Sequence, residues 1–309
     1  MASLRLVLSI ALAGALLCPG TAGAQVADGA ARSREAWVAL REAKFAVPEG
    51  ETAYGLLREM NALVASPDPF LRDNVAYEAA ARWIYTDGLL SPEEQRGMLA
   101  LWTGNLRQGL GERDGDAAFL RSFSALNLSI IAARDNREPF LSKPEFDAFL
   151  DAMLAYFAGE RDTRGYDPAT GWVHAAAHTA DTLKFLARNS KLDAAQQARL
   201  LAAIDAKARD FGTVFQWAED ARIADVIVSL AARADFGQAA FDAWLATIPQ
   251  RRKALWANAP AVDPSAFADV QNLTLMLRAA LASLSMPAEL TAHAAAARAS
   301  IIATLRALR

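Results

Sequence analysis

The feature that most constrains the fold is punctuation. Along most of the chain a small polar residue stands just before a proline, or one turn before an acid or amide, as at a helix start. These places are Asp68-Pro69, Ser91-Pro92-Glu93-Glu94, Asp114 to Asp116, Ser142-Lys143-Pro144-Glu145, Asp167-Pro168, Asp193 to Gln196, Asp263-Pro264 and Ser285-Met286-Pro287. Ser91 with Glu94 and Ser142 with Glu145 have the spacing of a capping box, in which each side chain satisfies the other's free backbone N–H. Between the signals apolar residues return at helical spacing, as in Phe119, Phe123, Leu126 and Ile130, then Phe146, Phe149, Leu150, Met153 and Phe157. Alternating strand-type runs are absent, and "IADVIVSL" from Ile223 lies inside a longer helical pattern.

Successive starts lie roughly two dozen residues apart, so a helical hairpin takes a little under fifty, near the HEAT-type repeat of about 40–47. The expectation is an all-α chain of antiparallel helix pairs, stacked as an irregular HEAT-like α-solenoid or closed into an α/α toroid. Nothing divides residues 34–309, which are expected to form one helical domain. Alanine-rich stretches such as "HAAAARAS" need no functional reading, because alanine favours helix and lets neighbouring helices approach.

The N-terminus reads as a secretory signal. Arg5 precedes a largely apolar stretch at residues 6–17, and Ala22, Gly23 and Ala24 form a small-residue cleavage site. The stretch is shorter than the roughly 20 apolar residues that span a bilayer. Cleavage is expected after Ala24, with residues 25–33 a flexible N-terminus and the product periplasmic or secreted. The single cysteine, Cys18, would leave with the signal, so disulfides and cysteine catalysis are excluded from the mature chain. Net charge is −3, and no basic stripe suits nucleic acid; no second apolar run is long enough to span a membrane.

Chemistry concentrates in one segment, "GERDTRGYDPATGWVHAAAHTADTL" from Gly159. On a helix His174, His178 and Asp181 would share a face, since i, i+4 and i+7 lie within about 60° of one another. Two imidazoles one turn apart can hold a divalent transition metal such as zinc, with Asp181 as third ligand or as a partner behind the ligands. The zincin motif is absent, because Ala175 stands where its glutamate would be. The alternative is a buried polar network that builds a ligand pocket, with Glu160, Asp162 and Arg164 supplied by the preceding loop. Trp172 is expected to pack in the core against the preceding helix. Charged or polar residues beside aromatics, at Arg121-Ser122 and at Glu219, Asp220 and Arg222 after Trp217, mark places where helices turn charge toward a shared groove.

These segments, with "RSFSALNLSII" from Arg121, "EPFLSKPEF" from Glu138 and "FQWAEDARIADVI" from Phe215, resemble a bacterial family known as domain of unknown function 2785, in order from about Arg72 to Leu245. The resemblance implies an all-helical domain and implies Arg121, Glu160, Asp162, Arg164, Trp172, His174, His178 and Asp181 as matches to the family's motif residues. It brings no activity. Three readings follow: a helical-repeat protein binding a small molecule or protein partner at the histidine segment, a metal-dependent hydrolase using the same residues, or a purely structural exported protein. No G-x-S-x-G sequence is present, which disfavours covalent acyl transfer.

Overall fold

The computed structural model describes residues 32–257 and 259–309. The expected signal peptide, 1–24, and most of the expected flexible segment, 25–33, lie outside the described residues. Arg34–Arg309 forms one compact unit. It begins with α1 (Arg34–Glu42) and α2 (Ala53–Val64). In the helical run 70–86 that follows, wide turns at Phe70–Tyr77 and Ala81–Thr86 flank the short α3 (Glu78–Ala80). Then come α4 (Pro92–Asn105), α5 (Ala117–Arg137), α6 (Lys143–Gly159), a hairpin of β1 (Tyr166–Asp167) and β2 (Gly171–Trp172), α7 (Ala175–Arg188) and α8 (Ala194–Asp210). The unit ends with α9 (Glu219–Ala231), α10 (Gln238–Trp256), α11 (Pro264–Ser285) and α12 (Ala292–Ala307).

The packing is that of an open stack. Helices α5, α7, α9 and α11 lie one against the next as an inner layer. Helices α4, α6, α8 and α10 form a second layer against them, and α12 covers α9, α10 and α11 at the end. At the other end α1 and α2 pack on the 70–86 run, which in turn packs on α5. Among the described residues no substantial packing joins the first helices to the last, which selects the stacked array over the closed toroid.

Inner helices have neighbours on both flanks, and their composition follows from that. In α5, Phe119, Phe123, Leu128 and Ile131 are buried, and so are Ser122, Ser124 and Asn127 between them. In α7 the small side chains of Ala176, Ala177 and Ala180 allow α5 and α9 to close in from either side. Its hydroxyls bond to backbone instead of water: Thr179 Oγ1 donates to the Ala175 carbonyl at 2.7 Å and Thr182 Oγ1 to that of Ala125 at 2.5 Å.

Most start signals do what their chemistry suggests. Both serine capping boxes form, Asp193 and Gln196 make a third, and Asp263 caps α11. Asp116 precedes α5 without a side-chain cap, and two other signals do something else. Asp167-Pro168 starts no helix: Asp167 Oδ1 accepts from the backbone N–H of Ala169 (2.8 Å) and Thr170 (2.9 Å) and closes the turn of the β1–β2 hairpin. Ser285-Met286 ends α11, and the next helix starts after Thr291, whose hydroxyl accepts from Ala294 N. An Asp or Ser side chain captures nearby backbone N–H groups in turns as readily as at helix starts, so the signal alone is ambiguous.

Candidate functional site

The hairpin and the residues after it lie where α7 and α9 begin. The chain enters both helices through a left-handed residue, His174 (φ 52°) before α7 and Ala218 (φ 63°) before α9. Such a conformation is unfavourable for a residue with a Cβ and persists only where surrounding contacts impose it. At His174 those contacts are backbone hydrogen bonds: Val173 N donates to Gly165 O at 2.9 Å and His174 N to Arg164 O at 3.1 Å. Arg72, wholly buried, reaches from the N-terminal part of the chain to donate to Thr170 O (2.7 Å), Trp172 O (3.1 Å) and Ser66 O (2.7 Å). Its guanidinium lies 4.2 Å from the Phe119 ring centroid and 4.7 Å from that of Phe123. Arg72 thus fastens the hairpin to both the 70–86 run and α5.

His174 therefore precedes the regular helix instead of occupying its first turn, and its ring does not follow the helical step of 100°. It stacks on Trp172 with centroids 4.8 Å apart and still comes within 5.6 Å of the His178 ring. Trp172, expected in the core, is 38% exposed; Tyr166 at 47% and Trp217 at 39% stand beside it. Tyr166 and Trp217 meet the Trp172 ring edge-on at 5.1 and 6.0 Å. Close approach explains Gly165, since a Cβ there would come within 2.0 Å of Trp217 Cγ.

Hydrogen bonds determine which ring nitrogens carry protons. Ser122 Oγ donates to the Val173 carbonyl, its one proton, and lies 2.8 Å from His178 Nδ1. His178 must then donate from Nδ1, leaving Nε2 as a lone pair when the ring is neutral. It is neutral: burial drives its pKa well below the ordinary 6.5, and the neighbouring His174, Arg222 and Arg72 push the same way. His174 Nε2 lies 2.6 Å from the Trp217 carbonyl, which only accepts, so that nitrogen holds the proton and Nδ1 is the lone pair. Burial lowers the His174 pKa too, against the opposing pull of the Trp217 carbonyl and Glu219. Neither free nitrogen has a hydrogen-bond partner among the described residues, and neither is among the polar atoms sealed from solvent without one. The site thus holds two neighbouring neutral imidazoles, each with one open acceptor.

Asp181 is already engaged. Arg222 NH1 donates to Oδ2 at 2.6 Å and Lys184 Nζ to Oδ1 at 3.0 Å. Tyr77 faces this pair, its phenol pKa raised by burial and by the Asp181 charge, and its hydroxyl makes no hydrogen bond among the described residues. These contacts bear directly on the metal reading of His174, His178 and Asp181. Both Asp181 oxygens are held by cations, so this carboxylate is not free to act as the third ligand of a zinc site. Among the described residues no group of three or more His, Cys, Asp or Glu has an arrangement suited to a metal ion.

The remaining motif residues form a second network, which meets the first through backbone hydrogen bonds and through the Phe119 ring, over which both Arg72 and Arg164 lie. Arg121 donates through Nε to Glu160 Oε2 at 2.7 Å and through NH2 to Oε1 at 3.2 Å, with both side chains buried. Glu160 Oε1 also accepts from Arg161 N and Asp162 N, each at 2.9 Å. Arg164 Nε lies 3.0 Å from Asp162 Oδ1, and its NH2 donates to Gly115 O at 2.9 Å. No side chain of Glu160, Asp162 or Arg164 bonds to either histidine. Their work is to shape the loop that presents Gly165 and Arg164 carbonyls to residues 173 and 174. The groups that do face the histidines are Ser122, Trp217 and Arg222, which the sequence pattern marks, together with Arg72, which it does not; Tyr77 and Lys184, also unmarked, face Asp181. Glu219, buried, accepts from Gln216 N (3.1 Å) and Trp217 N (2.8 Å) and so steadies the Trp217 carbonyl.

No curated protein and no solved structure matches the chain. Residues 106–283 match the family described as "protein of unknown function (DUF2785)", a span that starts and ends later than the segments carrying the resemblance. It takes in α5 through most of α11 and every residue of both networks except Arg72 and Tyr77. Because the match covers more than half of the chain, the protein belongs to this all-helical DUF2785 family, whose activity is unassigned.

Proposed function

We propose that the surface where α7 and α9 begin binds a neutral ligand that carries hydroxyl or amide donors on one edge and a flat, weakly polar face, as a saccharide does. The observation that carries this reading is the pair of neutral imidazoles with open acceptors, bordered by three exposed aromatic rings. Open acceptors call for donors on the ligand. Exposed indoles offer apolar area with little rotamer freedom to lose. The nearby cations, Arg222 and Lys184, are matched by Asp181 and Asp225, so no ligand charge is required. A few placed polar groups beside aromatic walls are the usual make-up of a ligand site. The metal-dependent hydrolase reading finds less support, because Asp181, its candidate third ligand, is held by Arg222 and Lys184.

The test is a titration of mono- and oligosaccharides against the tryptophan fluorescence of the full chain. A saturable change that is lost in Trp172→Ala and weakened in His178→Phe supports the reading. Absence of any response, or a response unaffected by both variants, overturns it. Export, the second part of the proposal, rests on residues 6–17 and on Ala22, Gly23 and Ala24. The intact mass of protein recovered outside the cytoplasm is expected to correspond to a start at Gln25, and a product beginning at Met1 would refute export.

A further inference from the structure

Many arginines of this chain are matched by carboxylates. Arg34 pairs with Asp68, Arg41 with Glu78, Arg96 with Glu145, Arg199 with Asp151, Arg233 with Asp235 and Arg251 with Asp205. One group is different. A cavity of about 660 Å³ between α10, α11 and α12 is lined by Arg252, Arg278, Arg306 and Arg309, together with Gln271 and Thr274. No acidic side chain lines it, and none of the four guanidinium groups makes an ion pair among the described residues. Helical spacing brings them together: Gln271, Thr274 and Arg278 recur at i, i+3 and i+7 on α11, while Leu305, Arg306 and Arg309 follow one another at the end of the chain's last helix.

Four like charges around one cavity repel, and in a chain of net charge −3 their concentration is not a consequence of overall composition. A guanidinium presents paired N–H donors in a plane, which suits the oxygens of a phosphate group and binds them with charge-assisted hydrogen bonds. We infer that this cavity is a binding site for a phosphate-bearing ligand, separate from the histidine surface. The site holds positive charge, and the one hydroxyl in its lining, Thr274, donates to the Val270 carbonyl, so binding is the role its groups support. Arg252 and Arg278 lie within the family match and Arg306 and Arg309 outside it.

Pyrophosphate is the probe, titrated calorimetrically into the full chain at low and at moderate salt, and vesicles containing phosphatidic acid form a second arm. The expected result is one saturable site that weakens with salt, and about tenfold or greater loss of affinity in Arg278→Gln and in Arg306→Gln. Both positions are exposed, so the variants should keep the wild-type circular dichroism and melting temperature, which is checked first. Pyrophosphate binding assigns the site to a free phosphate compound; binding to the vesicles alone assigns it to a lipid headgroup. Failure of both probes, or binding that neither substitution weakens, overturns the inference.

Discussion

His178→Ala tests the protonation assignment on which the candidate site depends. The ring is 8% exposed, donates from Nδ1 to Ser122 and meets Phe123 edge-on at a centroid distance of 4.9 Å. Removing it opens a cavity beside Phe123 and withdraws a donor from a buried hydroxyl, which costs about 2–4 kcal/mol near neutral pH. The pH dependence is the sharper readout. Burial holds the folded-state pKa well below the ordinary 6.5. Below pH 6.5 the unfolded chain therefore binds a proton at this position that the folded chain does not, and stability falls as pH falls. The loss is about 1.4 kcal/mol per pH unit while the folded ring stays neutral, or about 2 kcal/mol by roughly pH 5. The alanine variant lacks this liability. Its deficit relative to wild type should thus shrink by about 2 kcal/mol between roughly pH 7.5 and 5, measured by urea unfolding at each pH. Other titrating groups are common to both chains and cancel in the difference. An unchanged deficit would mean that His178 titrates alike folded and unfolded. A deficit that grows on acidification would mean the folded ring is protonated, and the open-acceptor assignment would fall in either case.

Three further outcomes follow from the same geometry. Glu160→Ala leaves the buried Arg121 guanidinium without its carboxylate and should destabilise by about 3–5 kcal/mol in chemical denaturation; a loss under about 1 kcal/mol would show that the pair is dispensable. Gly165→Ala drives a methyl into the Trp217 indole and should displace that ring, giving a changed tryptophan emission and a loss of about 1–3 kcal/mol; unchanged emission would contradict the close approach. Added zinc should leave the melting temperature where it is, because Asp181 is already bonded to Arg222 and Lys184. A zinc-dependent rise that disappears in His174→Ala would show instead that the two imidazoles bind metal without the carboxylate.

Legibility in the sequence followed the range of the interactions. Capping boxes at Ser91 and Ser142 and the cap at Asp263 act within three residues, and those helix starts could be read off directly. The same short range misled at Asp167, whose side chain makes the contacts of a cap while the backbone folds back as a hairpin. What separates the two outcomes is Gly171, at φ 75° and packed so closely on Pro69 that a Cβ would come within 2.7 Å of it, a neighbour about a hundred positions away. Asp181 offers a second case. Its place one turn after His178 was plain, but its engagement depends on Arg222, 41 residues on and in another helix.

Local patterning set the helical class, the caps of α4, α6, α8 and α11 and the segment in which the polar chemistry gathers, because periodicity and caps are properties of adjacent turns. Packing between distant segments set the rest: the stack stays open, Trp172 faces outward beside Tyr166 and Trp217, and His174 adopts a left-handed conformation. It also divided one run of motif residues into two networks, one around Arg121 and Glu160 and one around the histidines. The physical reason lies in the partners. Arg72 meets the Thr170 and Trp172 carbonyls across 98 and 100 positions, and Ser122 meets His178 across 56. Contacts of that reach exist only once the inner helices have stacked, and they alone determine which nitrogen carries a proton and which remains open to a ligand.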